Sequence, residues 1–350
     1  MGARRLALPQ PPIEPMEARL VSELPGGRGW QYEPKWDGFR CLAFRDSERI
    51  ELQAKSGKSL TRYFPEVEAR LRALAPRGFV LDGELGIALD GSLSFDALQM
   101  RLHPAESRIR RLAAQTPAIL MLFDLLASAE QGDLMGQPLP VRRAALERFF
   151  TGLRGAPGFV LTPITRNTAT ARRWLERSGG ALDGVVAKLL DGPYRPGERA
   201  MMKVKRLRTA DCVVGGFRYG AGSREVGSLL LGLYDSQGQL DHVGFTSAIP
   251  AAERPRLTRT LERLAGGPGF TGSAPGGPSR WSTERSAEWT PLRPQLVVEV
   301  CYDQVTAGRF RHGTRLVRFR PDKAPRQCTC EQLEREARPG RLIAQLLRGG

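Results

Sequence analysis

Glu33-Pro-Lys-Trp-Asp-Gly-Phe-Arg40 is the stretch from which the rest of the chain is read. Lys35 stands two residues before Asp37-Gly38, with Arg40 just beyond, a K-x-D-G-x-R pattern. The Asp-Gly pair predicts a turn that presents an amine among polar groups. A free lysine has a pKa near ~10.4 and is almost entirely ammonium at neutral pH, with no lone pair for attack. Burial and neighbouring cations favour the neutral amine, so a nucleophilic Lys35 should be accompanied in the fold by other lysines, arginines or a metal. Taken alone, the pattern is better explained by a solvated surface lysine in a tight turn, and the surrounding chain has to decide.

Just downstream, Arg40-Cys-Leu-Ala-Phe-Arg45 and Arg49-Ile-Glu-Leu-Gln53 alternate with period two around Asp46-Ser-Glu48, which predicts a hairpin. Upstream, residues 1–30 are Pro-rich and end in Pro25-Gly-Gly-Arg-Gly29, an extended arm with no room for a domain before Lys35. Gly57-Lys-Ser59 is not a phosphate loop, because position 52 is Leu where that loop needs glycine. Phe64-Pro-Glu66 opens a helix with Val67, Leu71 and Leu74 on one face.

Three later strands each carry an ionisable group that a core would exclude unless it were met by a partner. Phe79–Ile87 reads as a buried strand interrupted by Asp82-Gly83-Glu84, which makes Glu84 functional or ion-paired. Ala118–Leu126 holds Asp124, and its Phe123 is either core or a stacking platform. Helices at about 140–150 and 168–178 precede Leu182–Leu190, with Asp183 near its start and Lys188 near its end. Past the turn Pro193-Tyr-Arg-Pro-Gly197, Arg199–Arg206 predicts a strand that points Lys203 and Lys205 to one face. Two ammonium groups on one face demand an anion.

A length of 350 residues and 41% hydrophobic content support two domains at ~150 residues each. The net charge of +16 favours a polyanionic partner, nucleic acid or an anionic membrane. No apolar run approaches the ~18 residues of a membrane span, and the N-terminus has no apolar signal core, so nucleic acid is the better match. The five cysteines are scattered, Cys328-Thr-Cys330 lacks a second ligand pair, and His103, His242 and His312 are isolated. That pattern reads as a reduced, intracellular chain without structural zinc.

After Arg206 the character changes. Thr209–Phe217, Ser228–Tyr234, Leu240–Phe245, Leu296–Val300 and Thr314–Phe319 are short strands, with one helix at about 250–264 after the third. Five strands and an intervening helix fit a small Greek-key barrel of the OB type. Gly266–Pro278 is so rich in Gly and Pro that it predicts a mobile loop. Arg206, Arg208, Arg218, Arg224, Arg309, Arg311, Arg315, Arg318 and Arg320 form either a phosphate track on a duplex or a solvated basic face.

Glutamate and aspartate that can hold a hard cation, a lysine in a turn and paired lysines on a strand suit nucleotidyl transfer. In this order the motifs resemble the covalent nucleotidyltransferases, most closely the ATP-dependent DNA ligases of the small bacterial two-domain type and the ligase module of end-joining proteins. The motifs carrying the resemblance are Lys35-Trp-Asp-Gly, Asp82-Gly-Glu84, Phe123-Asp124, Asp183-Gly-Val-Val-Ala-Lys188, Lys203-Val-Lys205 and Arg318-Phe-Arg-Pro-Asp-Lys323. The resemblance implies an α+β fold, with an adenylation domain of antiparallel sheets over 1–206 and an OB-fold barrel over 207–350.

Site residues follow from the same resemblance. Lys35 would carry AMP, with Lys203, Lys205 and Asp37 beside it in catalysis. Glu33 would meet adenine through its backbone, Phe123 would stack on the base, Glu84 would reach the ribose, and Arg40 the nucleotide or nick. Arg199 and Lys205 would reach phosphates, Asp183 and Glu84 would hold Mg²⁺ or Mn²⁺, and Arg320, Asp322 and Lys323 would orient pyrophosphate. Lys55 replaces the arginine usual in the family's S-R-x-G motif, keeping the charge but losing the planar fork, and Asp183 replaces a common glutamate.

The implied function is ATP-dependent sealing of 3′-OH/5′-phosphate nicks in duplex DNA through lysyl-AMP and DNA-adenylate, in repair. The chain would act as a monomer at the bacterial nucleoid in the cytoplasm, with primase-polymerase or Ku-like proteins as partners by analogy. Alternatives are an RNA ligase or capping-type nucleotidyltransferase using the same nucleophile, and a non-catalytic nucleic-acid-binding module.

Overall fold

The alternation around residues 40–53 folds as the antiparallel hairpin Phe39–Asp46 and Arg49–Ala54, turned at Ser47 with a positive φ of 57°. A computed structural model describes residues 8–89, 92–153, 156–176, 182–276 and 288–334. The chain divides into two units, with the break between Arg206 and Leu207.

In the first unit the hairpin belongs to a seven-stranded sheet ordered Arg49–Ala54, Phe39–Asp46, Gly78–Leu89, Ala118–Ser128 and Gly132–Asp133, with Ser92–Leu93 and Phe159–Leu161 paired to its long strands. Period-two alternation divides the side chains between two cores. Cys41, Ala43, Phe79 and Leu81 pack on one side, among Leu71 of the helix Pro65–Ala73 and Leu146 of the helix Leu139–Thr151. Leu42, Phe44, Val80 and Leu126 pack on the other, with Met16, Tyr194 and Met201. Gly78–Leu89 is continuous, where an interruption at Asp82-Gly83-Glu84 is the sequence expectation; the strand absorbs the disturbance as a register shift between Asp82 and Gly83. Gly83 allows this because a Cβ there would lie 2.7 Å from the Met121 carbonyl oxygen.

A second sheet of this unit has four strands, in the order Ala18–Leu20, Met201–Val204, Leu182–Leu189, Trp30–Trp36. The N-terminal arm is therefore not merely extended, since Ala18–Leu20 pairs in parallel with Met201–Val204. That last strand is shorter than its sequence predicts. Lys203 lies on it and Lys205 lies one residue beyond it. The helix at Thr168–Glu176 matches the periodicity read at 168–178, whose last two residues are outside the described ones.

The second unit is built on an antiparallel sheet in the order Leu240–Thr246, Val226–Tyr234, Arg208–Tyr219, Val297–Tyr302, Arg315–Phe319, with Thr290–Pro291 added to Arg208–Tyr219. Its two ends meet: Thr246 bridges to Thr314, and the Thr246 hydroxyl donates to the Thr314 carbonyl at 2.9 Å. The helix Arg254–Leu264 buries Leu257 and Leu261 in the core with Phe217, Leu229 and Leu231. The Gly/Pro-rich stretch after it is anchored, contrary to the mobile loop expected. Phe270 is buried, edge-on to His242 at 5.1 Å and 5.4 Å from Trp289, in space that Gly215 and Gly232 leave clear. Gly277 and Pro278 of that stretch lie outside the described residues. No described helix is long and apolar enough to cross a membrane.

Candidate active site

The K-x-D-G turn is the point at which the chain leaves one sheet of the first unit for the other. Lys35 is the penultimate residue of Trp30–Trp36 in the four-stranded sheet, and Arg40 is the second of Phe39–Asp46 in the seven-stranded one. Only glycine fits at position 38, because a Cβ would collide with the Leu85 carbonyl oxygen and lie 2.9 Å from Glu84 Cγ. Around this crossing lies a cavity of about 660 Å³, within the ~300–1,000 Å³ usual for small-molecule sites. Of the residues singled out in the sequence, Glu33, Lys35, Arg40, Lys55, Glu84, Phe123 and Lys203 line it.

Asp183 and Lys205 stand behind that lining and join it through Lys35. Lys35 Nζ donates to Asp183 Oδ2 at 2.5 Å, and Lys205 Nζ lies 3.1 Å from the same oxygen. The carboxylate is buried, which is tolerable because two cations meet it. Gly184 makes the approach possible. Its φ is +140°, and a Cβ there would strike the carbonyl oxygen of Val204, next to Lys205. Burial first, and then the charges of Lys35, Lys205 and Lys55, lower the pKa of the Lys203 ammonium.

Arg40 and Phe123 form the opposite wall. Asp82 is fully buried and grips Arg40 with both oxygens, at 2.6 Å to Nε and 2.6 Å to Nη2. Burial opposes the guanidinium charge, but Asp82 more than offsets this and holds Arg40 above its ordinary range. Tyr194 donates to Asp82 at 2.8 Å and accepts the Met16 N–H at 3.0 Å, while Arg40 donates to the Met16 carbonyl at 3.2 Å. Both polar atoms of that peptide segment are thereby sewn to the cavity wall. The Arg40 guanidinium lies 4.6 Å from the centre of the Phe123 ring and Lys188 Nζ lies 4.9 Å from it.

The Glu33 side chain is buried and already engaged on both oxygens. Its carboxylate takes Lys188 at 2.9 Å and Gln31 at 2.9 Å, both buried. Glu84 differs, since burial pushes its carboxyl up to about 7 in spite of Lys35 and Arg40 nearby. Lys55 pairs with Glu17 at 2.9 Å, and Arg199 approaches Glu17 at 3.9 Å, so these two phosphate candidates share one acid from the N-terminal arm. Asp37 sits in the turn itself, outside the cavity lining.

Sequence reasoning passed over Met16, Glu17, Lys188 and Tyr194 as site residues. Lys188 was visible as a charge ending an apolar strand. Nothing local distinguishes the other three, which are brought in by pairing across more than 170 residues, as between Met16 and Tyr194.

Arg320, Asp322 and Lys323 belong to the second unit. Arg320 spreads its fork over Asp322, at 2.9 and 2.8 Å, and Asp211, at 3.0 Å. The Arg320 hydrogen bond holds the Asp322 carboxyl down at about 2. Lys323 donates to Asp211 at 2.6 Å.

Among the described residues, no three His, Cys, Asp or Glu side chains come together as a metal-holding group, and Glu84 and Asp183 form no part of one. A lone carboxylate such as Asp183 nonetheless suits a magnesium-like ion, which takes one or two carboxylates and completes its shell with water and substrate phosphates.

The chain matches the family models for the ATP dependent DNA ligase domain over residues 15–205 and the ATP dependent DNA ligase C terminal region over residues 222–323. It is 46% identical to DNA ligase C of Mycobacterium tuberculosis across 93% of this chain and 94% of that protein. Its identity to DNA ligase C2 of Mycolicibacterium smegmatis is also 46%, across 93% of this chain and 95% of the relative. A solved structure of a Lig E DNA ligase superposes with a TM-score of 0.54 at 18% identity, over 87% of this chain and 99% of that one, a likeness of fold alone.

Proposed function

This chain belongs to the ATP-dependent DNA ligases and is a DNA ligase, and from that premise we propose that Lys35 is the residue that carries AMP to a nick in duplex DNA. The observation that carries the reading is the position of Lys35 Nζ, on the wall of the 660 Å³ cavity and sharing Asp183 with Lys205.

In the first step the Lys35 ammonium gives up a proton and its nitrogen attacks the α-phosphorus of ATP. An N–P bond forms, the bond from the α-phosphorus to the bridging oxygen breaks, and pyrophosphate leaves with the electron pair. Lys203, Lys205, Lys55 and Arg199 supply the charge that phosphate oxygens require, and Arg320 and Lys323 serve the pyrophosphate. Phe123 is the platform for adenine. Glu33 addresses the base through its backbone, a division of labour supported by the engagement of its carboxylate with Lys188 and Gln31. Glu84, with its raised pKa, faces the ribose as a hydrogen-bonding group. Asp37 holds the turn beside the nucleophile.

Asp183 would hold Mg²⁺ or Mn²⁺, with Glu84 as the other carboxylate at hand; a bound divalent ion supplies neutralisation of phosphate charge. In the second step the 5′-phosphate oxygen at the nick attacks the same phosphorus, and the N–P bond breaks with the proton returned to nitrogen. In the third, the 3′-hydroxyl attacks the 5′-phosphate, AMP leaves and the strand is sealed. Positioning and charge neutralisation do most of the work in each.

The second unit serves as an OB-fold barrel on the duplex, a reading supported by its five principal strands, the Thr246–Thr314 closure and the helix Arg254–Leu264 between its third and fourth strands. Its arginines give affinity without sequence preference. Repair is the proposed setting, with end-joining proteins as partners.

The test is incubation with α-labelled ATP and Mg²⁺, followed by a nicked DNA duplex and, in parallel, a nicked RNA duplex. Label on the wild-type chain, absent in Lys35→Ala and discharged into sealed DNA, is the expected result. A Lys35→Ala chain that still takes label overturns the assignment, and sealing confined to RNA overturns the substrate.

A further inference from the structure

In the second unit one carboxylate gathers both cations that serve pyrophosphate in the function proposed above. Asp211 lies on Arg208–Tyr219 between two core residues, Ala210 and Cys212, and is itself buried. A carboxylate at such a position is costly unless cations meet it. Here Arg320 Nη1 donates to its two oxygens at 3.0 and 3.2 Å, and Lys323 Nζ donates at 2.6 Å.

The backbone of Asp211 is fixed just as firmly. Its N–H donates to Gln332 Oε1 at 3.0 Å, and Gln332 Nε2 donates to its carbonyl at 3.1 Å. On the other edge it sits opposite Glu299, which is opposite and bonded to Arg318. Asp211 is thus a rigid post from which two long, flexible side chains hang. Arginine and lysine lose much rotamer freedom when ordered, and a catalyst gains if that loss precedes the reaction.

We infer that Asp211 is a positioning residue for self-adenylation, acting through Arg320 and Lys323 by holding them oriented while pyrophosphate departs from the α-phosphorus. This rests on the pyrophosphate role given to those two residues above. Once pyrophosphate has left, the group these two charges are proposed to serve is gone, so sealing of an already adenylated nick does not need Asp211. Asp322 still grips the Nε and Nη2 edge of Arg320, so the loss on removing Asp211 falls chiefly on Lys323.

The experiment uses the full chain carrying Asp211→Asn, an isosteric change, and follows three rates. These are transfer of label from α-labelled ATP to the enzyme, discharge of the enzyme–AMP adduct by pyrophosphate, and ATP-free sealing of a duplex with a pre-adenylated 5′ end. The first two share a transition state and should fall together by about tenfold or more, with sealing kept within about twofold and KM for ATP little changed. Gln332→Ala, which loosens the post without removing its charge, should act in the same direction and less. Asp211→Asn added to Lys323→Ala should cost no more than Lys323→Ala alone. Unchanged or faster charging in Asp211→Asn, or sealing slowed as much as charging, overturns the inference. If Asp211→Asn does not fold, Asp211→Glu and Gln332→Ala are read by the same three rates and the same criteria. Arg320→Ala and Lys323→Ala separate the two levels. If both charge at the wild-type rate, the pyrophosphate role itself falls; if both are slow and Asp211→Asn is not, only Asp211 is wrongly assigned.

Discussion

Two aspartates, one in each unit, solve the same physical problem with different partners. Asp183 holds Lys35 and Lys205, and Asp211 holds Arg320 and Lys323. Each carboxylate is buried and each is met by two cations, which is how a chain keeps ionised groups away from water without a large penalty. The difference lies in what the cations can become. Lysine can surrender its proton when its surroundings demand it, and arginine cannot. In the function proposed, the first pair therefore supplies a nucleophile, while the second contributes an arginine whose charge is permanent and which Asp322 holds on a second side.

The comparison breaks most visibly at Lys35. Lys35→Arg keeps a cation against Asp183 but removes the nucleophile, and label from ATP should fall by at least about a thousandfold. Lys323→Arg keeps everything its site requires and should charge within about tenfold of the wild type. Comparable losses in both would mean that the two sites do not differ as described. Next in size is Asp183→Asn, for which both charging and the sealing of a pre-adenylated nick should fall by about a hundredfold, since one centre serves every step. Sealing that survives in Asp183→Asn would make it equivalent to Asp211.

Two titrations sharpen the contrast at lower amplitude. Burial raises the Glu84 carboxyl from its ordinary value of 4.5 to about 7, so the native chain binds more protons than the unfolded one between these values. Stability from this group is fully present below pH 4.5, declines as pH rises to 7 and is level above. Glu84→Gln should remove that slope and stand about 3 kcal/mol more stable in relative terms at pH 8 than at pH 4 by denaturant melts. In the second unit, burial first and then Arg309 and Arg218 lower His242 to about 3. Its sign is opposite: stability falls as pH drops from 6.5 to 3, and His242→Gln should flatten that acid limb. A Glu84→Gln curve parallel to the wild type would show that the carboxyl is ionised as in water. The smallest effect is expected at the exposed pair Arg318–Glu299, where Arg318→Gln should change stability by less than about 1 kcal/mol.

Much of this arrangement was legible in one dimension, because period-two alternation and Asp-Gly turns are local properties. The hairpin after Arg40, the strand carrying Asp183 and the helix near residue 254 could all be read that way. Where local reading failed, a distant partner was responsible. Asp82 and Glu84 look like breaks in a strand, yet the strand continues because Arg40 neutralises Asp82 from the neighbouring strand. Gly266–Gly276 looks like free loop, yet Phe270 fastens it in the space that Gly215 and Gly232 leave open.

By itself the amino-acid order determined which side chains are candidates for the chemistry, since a lysine before Asp-Gly, carboxylates inside apolar strands and a doublet of lysines are statements about neighbours in the chain. Only the folded chain decided who faces whom: Lys35 meets a carboxylate 148 residues away, and the arm at Met16 meets Tyr194 across 178. The reason is that such pairs depend on sheet register and on glycines that let backbones approach. Both are settled when strands dock, and no window of sequence contains them.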